Sequence, residues 1–346
     1  MRGLLFEGPG EVVLADGLPQ PRIEHPGDAV IAVEAAGLCG SDLHPYLGAE
    51  PAGTGVVPGH EAVGRVLEVG GTVTRYRPGD PVLVPFSTSC GRCEPCAGGI
   101  TARCGQGQLF GWAPPTAPAS GLDGAQAERV RVPLADSTLV RLPDHLDVLT
   151  AVLCTDNLPT AWEAVARTRP APGAEVVVVG LGAVGLCAVA AARAQGAVRV
   201  VGVDAIAGRR ARARRLGAEV VRAPDELADL TPVRCVVEAA GTAGAQAAAV
   251  ALTAPGGVCS VIAVQTTARF AYTPIEAYDR NLTVSFGRAS VAHTLPRVLA
   301  ALQSGQLTTP APECVTHPAV PLEDGAAAYR RFAAREEGVV KMVLRP

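Results

Sequence analysis

Short apolar runs separated by Gly and Pro dominate the first half of the chain: DAVIAVEAAG from Asp28, EAVGRVLEVG from Glu61, DPVLVPF from Asp80 and AERVRVPL from Ala127. Period-two alternation over such short stretches, with turn residues between them, predicts antiparallel strands closing into a barrel-like β domain. From Ala174 the texture changes. AEVVVVGLGAVGLCAVAAARAQG reads as a buried strand, a glycine turn and a small-residue helix ending at Gly196. The strands VRVVGV, VRCVVEAAG, GGVCSVIAV and NLTVSFG follow, with the helical stretch TAGAQAAAVAL among them. Strands alternating with helices predict a parallel, doubly wound sheet. Near the end AHTLPRVLAALQSGQL reads as a helix despite Pro296, and GVVKMVLRP reads as a strand returning to the first domain.

A chain of 346 residues is longer than one hydrophobic core usually supports, which agrees with two domains. The formal net charge is −3 and no long basic run occurs, so neither nucleic acid nor an anionic membrane is expected as a partner. MRGLLFEGPGEV meets Gly and Glu before a signal-peptide core can form, and no apolar run approaches the roughly 20 residues of a membrane span. A cytoplasmic location is expected. Lys341 is the only lysine among thirty basic residues, a bias that composition alone ascribes to codon usage.

Four of the ten cysteines fall together as Cys90-Gly-Arg-Cys93-Glu-Pro-Cys96 followed by Cys104. Two successive C-x-x-C steps and a fourth thiol form the pattern of a structural zinc site, whose closed shell staples a loop and leaves no open position for chemistry. A nucleic-acid zinc ribbon would need basic surroundings, and nearby there are only Arg92 and Arg103.

A second group of soft ligands lies in CGSDLHPYLGAEPAGTGVVPGHE, from Cys39 to Glu61. A catalytic zinc takes three protein ligands and leaves the fourth position open, and Cys39 and His60 suit two of the three. The plainer alternative is a buried cysteine and a hydrogen-bonded histidine that share a turn.

Gly180, Gly182 and Gly185 form G-x-G-x-x-G between a strand and a helix, the context that a dinucleotide fingerprint requires. Its glycines allow the tight turn and the approach of backbone to pyrophosphate, and the helix N-terminus supplies N–H groups. Asp204 ends the next strand, where an acid accepts hydrogen bonds from the adenosine ribose and repels a 2′-phosphate, so NAD is expected rather than NADP. Arg209 and Arg210 could accommodate a phosphate and pull the other way; the structural alternative for Asp204 is a helix N-cap.

GLCGSDLH, PGHE, CGRCEPC with Cys104, and GLGAVG, in this order, resemble the zinc-dependent medium-chain dehydrogenases, of which alcohol dehydrogenase is the best known. The resemblance covers essentially the whole chain. It implies a GroES-like β-rich catalytic domain over 1–156 with a zinc lobe at about 88–106, a Rossmann coenzyme domain over 157–288, and a return to the catalytic domain over 289–346. It also implies two zinc ions per chain. Cys39 and His60 match the first two catalytic ligands. In LCTDNLPTAWEA the third falls on Asp156, four positions before Thr160, where many relatives carry cysteine; Cys154 is the alternative, two positions off. Glu61 matches an acid that can approach the metal, and Asp42 one that orients the ligand imidazole. Ser41 and His44 match a proton relay that passes through the nicotinamide ribose. Thr160 and Arg209 join the glycines and Asp204 as cofactor contacts. Phe86 and Trp112 match pocket positions, and the Pro/Gly-rich GWAPPTAPASGLDGAQAE could form a wall or an inert connection.

The implied activity is interconversion of an alcohol and its aldehyde or ketone by hydride transfer to or from NAD. The alternatives are a polyol, sugar, threonine or formaldehyde-type dehydrogenase of the same family, or a silent NAD-binding protein. Relatives form homo-dimers or homo-tetramers, so a homo-oligomer acting on a small-molecule substrate is expected.

Overall fold

The computed structural model describes residues 1–117, 120–266 and 269–346. It divides into two compact units: Met1–Asp156 with Ser290–Leu295 and Val315–Pro346, and Asn157–Ala289 with Pro296–Cys314.

The first unit opens with a hairpin of β1 (Gly3–Gly8) and β2 (Glu11–Ala15). The alternating runs form β3 (Ala29–Leu38), β4 (Glu61–Val69), β5 (Pro81–Val84), β6 (Arg129–Val132) and β7 (Val140–Arg141), paired antiparallel. The central pairing sets Gly37 of β3 opposite Glu61 of β4, and the glycine is required there because a Cβ would strike the Glu61 carboxylate. Leu4, Ile31, Leu38, Val66, Val82 and Phe110 are buried together in its core. Apolar burial on one face of such a sheet supplies most of its stability.

In the second unit β8 (Glu175–Val179), β9 (Arg199–Val203), β10 (Val220–Arg222), β11 (Val233–Glu238), β12 (Thr253–Val261) and β13 (Thr283–Phe286) form a parallel sheet in the order β10-β9-β8-β11-β12-β13. Val176 to Val179 are all buried, as expected for a strand covered on both faces, which is why this run does not alternate. Helix Ala183–Ala194 follows β8 directly.

The chain closes with β14 (His317–Pro321) and β15 (Met342–Arg345), and β15 pairs antiparallel with β3. A single return over 289–346 is expected from the sequence; the structure divides it. Residues 296–314 stay with the second unit, where the Cys314 thiol lies 3.8 Å from that of Cys187 and Glu313 pairs with Arg215 at 2.7 Å. Among the described residues no helix is long and apolar enough to cross a membrane.

Candidate metal centres and dinucleotide site

Cys39 stands just past the end of β3 and His60 just before β4, so the pairing of Gly37 with Glu61 brings them side by side. Asp156 caps the C-terminal end of helix Val148–Thr155. One donor atom from each of Cys39, His60, Glu61 and Asp156 lies within 4.8 Å of all the others. Cys39 Sγ is 3.5 Å from Asp156 Oδ2, and His60 Nε2 is 3.9 Å from the same oxygen. Ligands at zinc bond lengths in a tetrahedron stand roughly 3.3–3.8 Å apart, so the spacing suits that ion. The chemistry of the donors agrees: one thiol, one imidazole and one carboxylate, all buried or nearly so.

The imidazole is already oriented. Its Nδ1 lies 3.0 Å from Asp42 Oδ1, so Nδ1 keeps the proton and Nε2 is the ring atom free to ligate. Burial opposes a positive His60, but Asp42 and then Cys39 outweigh it and hold the imidazolium well above the ordinary histidine value. Burial, then Asp156 and Glu61, push the Cys39 thiol up. A bound dication would displace those protons by favouring thiolate and neutral imidazole.

The rival third ligand does not join this group: among the described residues Cys154 belongs to no metal-ligating cluster. It is fully buried, and burial followed by Asp147 pushes its thiol up to about 12, so it remains protonated.

Behind the cluster the Lys341 ammonium contacts both oxygens of Glu61, at 2.5 and 2.8 Å. Composition alone treats this lysine as incidental; the structure gives it a partner in the site. Its place in the apolar run GVVKMVL, directly before β15, is the local sign that it is buried. No motif marks Gln126, whose amide donates to Asp42 at 3.3 Å, or Tyr329, whose hydroxyl donates to Gln126 at 2.9 Å.

Ser41 Oγ lies 3.3 Å from His60 Nε2 and therefore borders the site. His44 sits on the short helix Leu43–Tyr46; its Nδ1 is buried without a hydrogen-bond partner among the described residues, and burial lowers its pKa against Glu50 and Asp42. Phe86 meets the His60 ring edge to face, with centroids 6.3 Å apart. Trp112 is half-buried. Of the Pro/Gly-rich segment beside it, residues 118 and 119 lie outside the described residues.

Cys90, Cys93, Cys96 and Cys104 form the second cluster, again with all sulfurs within 4.8 Å. Cys104 Sγ accepts the N–H groups of Cys90 (3.2 Å) and Gln106 (3.4 Å) and lies 3.9 Å from Cys93 Sγ. Backbone N–H groups of Arg92 and Cys93 pull Cys90 down to about 6, while burial and then Cys93 and Cys104 push Cys96 up to about 12. Four sulfurs at this spacing, with backbone N–H donors that favour the thiolate form of Cys90, fit a zinc ion with no position left open.

In the second unit Gly180 turns the chain after β8 at φ +90, and a Cβ on Gly185 would strike the Gly180 carbonyl. Gly182 is the N-cap of helix Ala183–Ala194. The strand, the tight turn and the helix thus leave N–H groups at the helix start for a pyrophosphate. Asp204 follows β9, and its carboxylate accepts the N–H of Leu181 at 2.7 Å and of Ile206 at 2.8 Å. The next helix begins at Ala207 with Ile206 as its N-cap, so Asp204 is not a helix cap. Arg209 Nη1 is 3.9 Å from the Asp204 carboxylate, and Arg210 Nη1 donates to the Asp204 carbonyl at 2.8 Å. Thr160 is buried on helix Asn157–Arg167, which packs against helix Ala183–Ala194.

Two family models match the chain: one described as alcohol dehydrogenase GroES-like domain, over residues 25–144, and one described as zinc-binding dehydrogenase, over 183–304. The chain is 36% identical to the "Probable zinc-binding alcohol dehydrogenase" of Mycobacterium tuberculosis, over 100% of its own length and 89% of that protein. Among solved structures, alcohol dehydrogenase TADH from Thermus sp. ATN1 superimposes with a TM-score of 0.91 at 34% identity, covering 100% of this chain and 99% of that one. A candidate zinc-binding dehydrogenase from Sinorhizobium meliloti, solved bound to NADP, does so with a TM-score of 0.84 at 26% identity, covering 100% and 99%.

Proposed function

The chain belongs to the zinc-dependent medium-chain dehydrogenases and is an alcohol/carbonyl oxidoreductase; from that premise we propose that it uses NAD and two zinc ions, with Cys39, His60 and Asp156 holding the catalytic ion. The observation that carries this is the convergence of a thiol, an imidazole Nε2 and a carboxylate within 4.8 Å, with the other imidazole nitrogen tied to Asp42. Zinc, when bound, supplies the Lewis acidity that polarises the substrate oxygen, and NAD supplies the hydride acceptor. Cys90, Cys93, Cys96 and Cys104 would hold the second ion as a staple.

The remaining work falls to side chains. Oxidation of a secondary or primary alcohol removes a hydride from carbon and a proton from oxygen, leaving a carbonyl. Ser41 Oγ is the group suited to take that proton, and His44 to carry it onward, because its lowered pKa leaves the ring neutral and able to accept. Phe86, edge to face with the His60 ring, places an apolar ring beside the imidazole. Asp156 would offer an oxygen to the metal, where the family resemblance places a cysteine in many relatives. Glu61 stays beside the donors with its charge balanced by Lys341.

For the cofactor, the Asp204 carboxylate beside the glycine turn favours ribose hydroxyls over a 2′-phosphate. Arg209, at 3.9 Å, and the NADP carried by the Sinorhizobium meliloti relative are the reasons to assay both nicotinamides. The test is zinc content of the purified chain measured beside a panel of primary alcohols, secondary alcohols, polyols and aldehydes with NAD and NADP. Two zincs per chain and alcohol-dependent NADH formation are expected; one zinc and no turnover with any member would overturn the reading.

A further inference from the structure

Behind the His60 imidazole the polar contacts continue inward for two more links. Asp42 faces His60 Nδ1 with Oδ1, and its Oδ2 accepts the Cys39 N–H at 2.8 Å and the Gln126 amide at 3.3 Å. The same Gln126 Nε2 reaches the Gly37 carbonyl at 3.4 Å, while Gln126 Oε1 accepts the Tyr329 hydroxyl at 2.9 Å. Gln126 is fully out of solvent and Tyr329 is 1% exposed.

Direction matters in this chain of contacts. Turning the Gln126 amide over would set its oxygen against a carboxylate and a carbonyl, two acceptors with nothing to donate, so only one orientation satisfies every buried group. Backbone bonds also pin the residue: the Gln126 N–H donates to the Pro58 carbonyl at 3.0 Å, and its carbonyl accepts the Leu4 N–H at 2.8 Å. Gly59, at φ +94 and adjacent to His60, leaves room for this side chain, since a Cβ there would strike it. Tyr329 comes from helix Gly325–Ala333, near the end of the sequence, and its ring packs 5.3 Å from that of Tyr46.

We propose that Gln126 and Tyr329 are positioning residues of the catalytic metal site: together they hold Asp42 in the rotamer that keeps His60 Nε2 turned toward the metal. This rests on the reading in which Cys39, His60 and Asp156 bind zinc. Neither residue touches the ligands' donor atoms; each acts through Asp42. Partners of a ligating imidazole typically change metal affinity about 10–100-fold when removed. With an effect that weakens outward, Gln126→Met should speed loss of that zinc about tenfold and Tyr329→Phe several-fold.

The test follows zinc release from the whole chain into excess colorimetric chelator, with the catalytic phase identified as the one that Cys39→Ser lacks. The four-cysteine lobe serves as the control within each molecule. Faster release from the catalytic site alone, in both variants, is expected. Cobalt(II) placed in that site should also change its visible absorption in Gln126→Met, a signal that general loosening of the fold would not move. Release at the parent rate in Tyr329→Phe and an unaltered cobalt spectrum in Gln126→Met would overturn the proposal, as would equal acceleration at both sites. A parent chain that binds only the lobe zinc would overturn the zinc reading itself, and the stoichiometry of the unmodified protein separates that failure from the others.

Discussion

Lys341 Nζ lies 2.5 Å from Oε2 and 2.8 Å from Oε1 of Glu61, across a separation of 280 positions in sequence, with both side chains out of solvent. The register produces this contact. Glu61 faces Gly37 on β4, and Met342, the next residue after the lysine, faces Leu38 on β3. Burial would lower the ammonium pKa, but Glu61 and then Cys39 outweigh it and raise it, so the lysine keeps its charge at working pH. A positive group is thereby fixed beside a donor set rich in acids, where it balances Glu61; in the proposed reading this leaves the thiol, the imidazole and Asp156 available to a metal.

Removing one member of this pair should cost far more than removing both. Lys341→Met strands a buried carboxylate, and breaking such a pair typically costs about 3–5 kcal/mol. Adding Glu61→Gln to Lys341→Met should restore much of that loss, because the charge that lacked a partner is gone. Denaturant unfolding of the parent, the single variants and the double variant measures the coupling. Additive losses would show that the two side chains do not depend on each other.

The fold was largely legible from local pattern. Period-two runs marked β3, β4, β5 and β6, the valine run marked β8, and the glycines marked the turn before helix Ala183–Ala194. Cys39, His60 and Asp156 could be picked out because motifs of fixed spacing carry them. Lys341, Gln126 and Tyr329 could not, since each meets the site through a contact between distant segments that no period or spacing encodes. A lone lysine inside an apolar run, just ahead of β15, is the one local hint, and it points to burial without naming the partner. The divided return of the chain escaped for a similar reason: what keeps 296–314 with the second unit is packing, such as Cys314 on Cys187, and not a turn signal.

Asp156 and Cys154 can be separated directly. Asp156→Ala removes an oxygen 3.5 Å from Cys39 Sγ and should lower zinc content by one ion and abolish turnover. Cys154→Ala removes a buried, protonated thiol outside the cluster and should leave both zincs in place, at a stability cost of about 1 kcal/mol from lost packing. Metal analysis of the two purified variants decides the matter; loss of zinc from Cys154→Ala alone would move the ligand two positions.

Asp204 is expected to set the choice of nicotinamide. Asp204→Asn keeps an oxygen for one of the two N–H groups it holds but removes the charge that faces a 2′-phosphate. Juxtaposed like charges cost several kcal/mol in a contact, so the ratio of kcat/KM for NAD over NADP should fall about tenfold or more. Arg209→Ala should move the ratio the other way. Steady-state kinetics with both cofactors checks this, and an unchanged ratio in Asp204→Asn would remove the residue from that role.

The base of the cysteine lobe should carry an acid-sensitive contribution to stability through Asp136. Its carboxylate accepts the N–H of Thr74 at 2.9 Å, the N–H of Arg75 at 2.9 Å and the Thr74 hydroxyl at 2.8 Å. The short helix that carries Asp136 also carries Thr138, whose hydroxyl accepts the N–H of Ser89, next to Cys90. Burial is the largest single influence and pushes the Asp136 pKa up, but the N–H groups of Arg75 and Thr74, the Thr74 hydroxyl and the Arg75 charge together leave it below the ordinary value. A lowered carboxyl contributes stability that is fully present above its unfolded value, about 3.9, and is lost as pH falls through the folded one. The group is partly exposed, so after screening by solvent the contribution is on the order of 1 kcal/mol. Asp136→Asn should therefore unfold more easily than the parent at pH 7, and the difference should shrink as the pH is taken below about 4. Urea midpoints measured at both ends of that range test the sign: a gap that widens in acid would mean that Asp136 acts as the protonated acid and not as the carboxylate.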